Sequence, residues 1–170
     1  MSVTRRQAVA VLAAAGVLGP LSLWLTSRDM GTGADEGAFP LQKSDAEWRA
    51  ALPSDRYRIL RGRSTERAFS SPLNKEKRSG IFVCAACGQK LFLSNTKFES
   101  GTGWPSFWRP LDDAVGTQID RSWFMVRTEV HCARCGSHLG HVFADGPEPT
   151  GLRFCINGLA LNFVTGSGVI

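Results

Sequence analysis

The chain has 170 residues, 43% of them hydrophobic and 21% charged, and a formal net charge of +5. This accommodates one globular domain with a terminal extension and excludes a low-complexity or repeat protein. Residues 1 to 27 contribute Arg5 and Arg6 but no acid, so the remainder carries 18 basic and 15 acidic residues, or +3, too mild a balance to specify nucleic acid.

Thr4-Arg5-Arg6-Gln7 leads into an uncharged run from Ala8 to Ser27 that includes Val9, Leu12, Val17, Leu21 and Trp24. A charged segment ahead of an apolar one reads as an export address rather than as part of the fold. The paired arginines resemble a bacterial twin-arginine signal, with Ala8-Val9 where Phe-Leu usually follows. No Ala-x-Ala cleavage site is evident, and about 18 to 20 apolar residues just span a bilayer, so residues 8–27 are expected to be either cleaved or kept as a membrane anchor. Either outcome puts the domain outside the cytoplasm, in the periplasm or on the outer face of the inner membrane, because the arginines stay inside. A buried N-terminal helix is the alternative. Residues 28–39 read as a linker, and 40–166 as the domain.

Ser44-Asp45-Ala46-Glu47 has the form of a capping box and predicts a short helix ending at Pro53, with Trp48 and Leu52 on one face. Ser54 to Leu60 predicts a second helical turn, followed by loops to about Ser79. The basic residues from Arg56 to Arg78 suit a solvated face or a polyanion surface. From Gly80 onward short apolar runs alternate with glycine, proline and aspartate. They predict strands at 81–84, 90–93, 123–130, 138–143, 152–156 and 159–164. The expected fold is mainly β, with antiparallel sheets, short N-terminal helices and a peripheral four-cysteine zinc site.

Cys84 and Cys87 lie in Cys-Ala-Ala-Cys-Gly, and Cys132 and Cys135 in Cys-Ala-Arg-Cys-Gly. Two such knuckles can offer four thiolates to one structural Zn²⁺; two disulfides or a redox dithiol are the competing readings. The 44 residues between them (88 to 131) exceed the spacing of a free-standing zinc ribbon, so the metal would clamp a larger domain. Cys155 stands alone, free to be a nucleophile or a buried structural cysteine.

Five blocks carry a family resemblance: Gly80-Ile-Phe-Val-Cys-Ala-Ala-Cys-Gly, Thr96-Lys-Phe-Glu-Ser-Gly-Thr-Gly-Trp-Pro-Ser-Phe107, Arg127-Thr-Glu-Val-His-Cys-Ala-Arg-Cys-Gly, His138-Leu-Gly-His-Val-Phe143 and Gly151-Leu-Arg-Phe-Cys-Ile-Asn157. Together they resemble peptide-methionine (R)-S-oxide reductases, the MsrB family. The resemblance implies a β-rich fold, reduction of methionine-(R)-sulfoxide in oxidised proteins or peptides, and Cys155 as the attacking cysteine. It implies that His141 protonates the departing oxygen while His138 orients it or the substrate, and that His131 is peripheral. Trp104 would form the wall for the substrate's S-methyl group, with Phe107 and Phe154 beside it; core packing is the alternative for Trp104. Asn157, two residues beyond Cys155, and Arg153, two before it, share its alternation. Asn157 can join the site's hydrogen bonds, and Arg153 can lower the thiol pKa or simply be solvated.

Relatives often carry a resolving cysteine where this chain has Thr102, so an external thioredoxin-like or other thiol reductant is expected to reduce a sulfenic acid on Cys155. The family's usual Asn-Ser-x-Ser is here Asn157-Gly158-Leu159-Ala160, which removes two hydroxyls. The competing functional readings are a zinc-ribbon binding module and a scaffold without catalysis.

A twin-arginine route carries folded proteins, so zinc would be loaded before export. Replacing Arg5 and Arg6 together by lysine is expected to keep the protein in the cytoplasm, as read by cell fractionation. Zinc-loaded variant recovered outside the cytoplasm would overturn that assignment.

Overall fold

The computed structural model describes residues 39–122 and 125–166. The readings of residues 1–27 as an export segment and of 28–38 as a linker lie outside the described residues. Phe39, assigned above to the linker, packs its ring edge-on against His131 with centroids 5.4 Å apart. Among the described residues no helix is long and apolar enough to cross a membrane.

Two short helices open the domain, α1 (Asp45–Ala51) and α2 (Ser54–Leu60). The capping box at Ser44 forms: Ser44 Oγ accepts the Glu47 N–H, and the Glu47 carboxylate accepts the Ser44 N–H at 2.8 Å. Trp48, Ile59 and Leu60 turn their apolar faces into the core.

Nine strands follow among the described residues. They are β1 (Gly80–Cys84), β2 (Lys90–Leu93), β3 (Lys97–Phe98), β4 (Ser106–Phe107), β5 (Val115–Asp120), β6 (Arg127–Cys132), β7 (His138–Phe143), β8 (Arg153–Ile156) and β9 (Leu161–Thr165). They form two antiparallel sheets, one in the order β2-β1-β9 and the other β3-β4-β8-β7-β6-β5. The mainly β expectation holds, with corrections to individual strands.

The strand expected at 123–130 begins at Arg127 and continues to Cys132, because Met125 and Val126 are exposed and unpaired ahead of it; Trp123 and Phe124 lie outside the described residues. The expected 159–164 strand begins at Leu161, since Gly158–Ala160 form a 3₁₀ turn. Strand β5 lies outside the expected strands, although Val115, Thr117 and Ile119 alternate with Gly116, Gln118 and Asp120, a short pattern with only two strongly apolar positions.

Aromatic rings fill the space between the sheets. Phe92 of β2 stacks on Phe107 of β4 at 4.3 Å, and Phe82 of β1 meets both Phe107 and Phe163 at 4.9 Å. Phe82, Phe92 and Phe107 are fully buried, each contributing about 2 kcal/mol of transfer free energy. This joint between the sheets leaves the opposite face of the six-stranded sheet free for polar groups.

Candidate active site and cysteine cluster

In β8, Phe154 and Ile156 enter the core, so alternation turns Arg153 and Cys155 to the other face. Directly opposite residues on neighbouring strands share a face. Cys155 lies opposite Ser106 on β4 and His141 on β7; His141 lies opposite Glu129 on β6, and Glu129 opposite Gln118 on β5. One polar row thus crosses five strands.

His138 joins the row through an irregularity. The register between β6 and β7 shifts after Val130, so His131 pairs with His138 and Leu139 has no partner. The extra residue returns His138 to the side of His141, with ring centroids 5.4 Å apart.

Each of these two histidines is held by a carboxylate. His141 Nε2–H donates to Asp120 at 2.8 Å, and Asp120 also accepts Arg127 at 2.8 Å and the Ser122 N–H at 2.9 Å. Burial pushes the Asp120 carboxyl up, but hydrogen bonds from Ser122, His141 and Arg127 outweigh it and hold the group well below the usual range. Burial pulls His141 below the ordinary imidazole value, and Asp120 only partly opposes this. The ring is therefore neutral near pH 7 and can accept a proton at Nδ1. His138 Nδ1–H donates to Glu129 at 2.6 Å, while its Nε2 is buried without a partner. Glu129 is raised by burial and lowered more strongly by His138 and Gln118, for a net downward shift.

The Cys155 thiol is partly buried, with the Thr102 hydroxyl 3.8 Å from its sulfur. Ser100 connects Thr102 at 2.8 Å to Ser106 at 2.7 Å. Burial raises the thiol pKa, and Thr102 and Arg153 only partly counter it. Arg153 is itself fixed by two 2.8 Å hydrogen bonds to Asp145 and stacks over Phe143 at 4.4 Å.

The half-buried Trp104 is held to the loop that follows α2 by its indole N–H, which donates to the Glu66 carbonyl at 3.2 Å. Glu66, absent from the sequence reading, ties several parts together. Its backbone N–H donates to Asn157 Oδ1 at 2.9 Å, and its buried carboxylate accepts the N–H groups of Gly158 at 2.5 Å and Leu159 at 2.9 Å. A carboxylate thereby anchors the turn directly after the strand that bears Cys155. Ser71 fills the remaining space: a Cβ on Gly158 would lie 1.9 Å from its hydroxyl oxygen. A serine at 158 has no room here.

Three expected positions need revision. Phe107 and Phe154 lie on the core face of the sheet, paired with each other across β4 and β8, because alternation sends them away from Cys155. Neither forms a wall beside the thiol. Asn157 is buried just beyond β8 and spends its side chain on the backbone of Glu66 and Leu139, the latter accepting from Nδ2 at 3.0 Å. It shapes the turn rather than reaching the thiol. Asp120 and Glu129 were legible only as charged residues in otherwise ordinary strands, and Glu66 sits in a loop with no periodic signal.

At the ends of β1 and β6 the four remaining cysteines converge, with all their sulfurs within 4.8 Å of one another. The two knuckles have the same backbone: Cys84 N–H donates to Gln89 O and Gly88 N–H to Cys84 O, as Cys132 N–H does to Ser137 O and Gly136 N–H to Cys132 O. Gly88 and Gly136 adopt φ of 73° and 67°, which only glycine takes without strain. Sulfurs 3.6 Å apart for Cys87 and Cys132 and 3.9 Å for Cys84 and Cys135 match the roughly 3.8 Å edge of a tetrahedron with 2.3 Å metal–sulfur bonds. The cluster can hold a metal ion, and four thiolates suit zinc.

A family model described as SelR domain matches residues 52–165. The chain is 56% identical over 126 residues to the peptide methionine sulfoxide reductase MsrB of Methanosarcina barkeri, covering 74% of this chain and 89% of that protein. It is 49% identical to the MsrB of Hahella chejuensis, covering 75% and 93%, and 54% identical to that of Leptospira interrogans, covering 74% and 96%.

Two consequences are measurable. Cys135→Ser is expected to lose bound zinc by elemental analysis and to lower the melting temperature by more than 10 °C, since a structural metal contributes several kcal/mol to folding; unchanged metal content would exclude the cluster as a zinc site. Because only the thiolate is alkylated, iodoacetamide should modify Cys155 more slowly than a free thiol at pH 7.5, with the rate rising until pH passes the raised pKa. Arg153→Met removes a charge that favours the thiolate, so the profile should move further to alkaline pH and the rate at pH 7.5 fall about threefold to tenfold. A shift to acid pH would contradict the assigned electrostatics.

Proposed function

The chain belongs to the MsrB family and is a methionine sulfoxide-reducing oxidoreductase, and on that premise we propose that it reduces the R epimer in oxidised proteins or peptides through Cys155. The observation that carries this reading is the single polar row in which Cys155 lies directly opposite His141, with Glu129 beyond it.

Both Cys155 and His141 are disposed toward their neutral forms by burial. Charge therefore develops only as the reaction begins. Cys155 gives its proton to His141 and attacks the sulfoxide sulfur, and the imidazolium, stabilised by Asp120, delivers that proton to the sulfoxide oxygen. The protonated oxygen passes from the methionine sulfur to the Cys155 sulfur as the bond between the two sulfurs breaks; methionine leaves with that electron pair, reduced by two electrons, and Cys155 is left as a sulfenic acid oxidised by two. His138, held by Glu129, orients the oxygen, and Trp104 faces the methyl group. An apolar wall on one side and proton donors on the other accept one epimer, since inversion at sulfur exchanges methyl and oxygen.

The sulfenic acid is then reduced by an external thiol of the thioredoxin-like class. One thiol displaces water to form a mixed disulfide, and a second releases Cys155. Thr102 as the neighbour of Cys155, with the other four cysteines gathered in one cluster, supports this route. The cluster holds structural zinc, and the domain works outside the cytoplasm, as the N-terminal residues suggest.

Residues 39–170, incubated with separate R and S epimers of N-acetyl-methionine sulfoxide and dithiothreitol, are expected to reduce the R epimer alone. Cys155→Ser should lose at least a thousandfold in kcat/KM. Consumption of the S epimer alone, or activity surviving in Cys155→Ser, would reject the mechanism.

A further inference from the structure

Phe69 is 74% exposed, yet its backbone is held in place. Its φ is 63°, a left-handed conformation that an aromatic residue adopts only under constraint. The constraint is visible: Phe69 N–H donates to Gly103 O at 2.7 Å, and Asn74 Nδ2 donates to the same oxygen at 2.9 Å. Gly103, at φ 94°, has its missing Cβ position 2.9 Å from the edge of the Phe69 ring. Gly103 links Thr102, beside the Cys155 sulfur, to Trp104. An exposed apolar ring is thus bolted onto the same loop that frames the thiol, and it lines a shallow recess with Lys97, Ser100 and Trp104.

A single exposed aromatic ring is ordinary on a protein surface. One that keeps an unfavourable backbone conformation in order to stand beside Trp104 is better explained by a contact it makes there. Methionine in proteins fills apolar gaps, so a segment presenting an oxidised methionine also presents apolar neighbours. We propose that Phe69 docks an apolar side chain flanking the oxidised methionine, and so sets a preference for polypeptide substrates over the isolated amino acid. The proposal rests on the reading of the Cys155 site given above and extends that site by one residue of bound chain.

The test compares Phe69→Asn with the unaltered protein. Asparagine tolerates positive φ, so the substitution removes the ring without straining the loop. The substrates are N-acetyl-methionine-(R)-sulfoxide, a pentapeptide with leucine on both sides of methionine-(R)-sulfoxide, and the same peptide with aspartate in place of leucine. The unaltered protein should favour the leucine peptide, and Phe69→Asn should lose about tenfold in kcat/KM for it, mainly through KM, with the acetylated amino acid changed less than twofold. A preference for leucine that survives the substitution, or an equal loss on all three substrates, would overturn the docking role. Absence of turnover on the acetylated amino acid by the unaltered protein would instead overturn the parent reading, and this one with it.

Discussion

The site depends on the pairing register of β8 with β4 and β7. A one-residue slip would exchange the two faces of β8, sending Cys155 into the core and Phe154 out toward His141. Aromatic packing opposes such a slip, because Phe154 lies opposite the fully buried Phe107, which itself stacks on Phe92. Gly140 adds a steric condition: a Cβ there would lie 2.0 Å from the Cys155 carbonyl oxygen. The core and the backbone thus determine where the thiol stands, and the polar residues need only occupy the face left to them.

That face is nearly balanced in charge. Asp120 has Arg127, Glu129 has Arg63 at 3.5 Å, and Asp145 has Arg153. Permanent charges are paired at its margins, while Cys155, His141 and His131 are the groups there that burial shifts toward their neutral forms. In the proposed reaction this keeps Cys155 and His141 uncharged until the sulfoxide binds. The cysteine cluster contributes at a distance, since Cys84 ends a strand of the three-stranded sheet and Cys132 ends one of the six-stranded sheet. A metal there would tie the two sheets together at those strand ends.

The sequence made some of this readable and hid the rest for physical reasons. The capping box at Ser44 is a local pattern, as are the knuckles with their glycines, and both appear in the structure with the expected hydrogen bonds or spacing. Strands β1, β2, β7 and β8 were legible from short apolar runs. Alternation also placed Arg153 on the face of Cys155, but the same rule, applied to Phe154, would have removed it from the substrate wall. The roles of Asp120 and Glu129 follow from cross-strand pairing, which no single segment encodes. His138 and His141, three apart, should fall on opposite faces of a regular strand; an unpaired Leu139 reunites them. Glu66 contacts residues more than ninety positions away, beyond the range of any local pattern.

Residues 61–71 have neither helix nor strand, and a protein engineer would take such a stretch as the natural place for an insertion, a tag or a graft. Glu66 reverses that judgement. With its carboxylate on Gly158 and Leu159, its amide on Asn157 and its carbonyl on Trp104, the stretch behaves as a keystone between segments that never meet in sequence. Variation in loop length is ordinarily cheap, but here an added residue would displace a contact with the turn that follows the strand bearing Cys155. Irregular backbone, in this fold, is among the least exchangeable parts of the molecule.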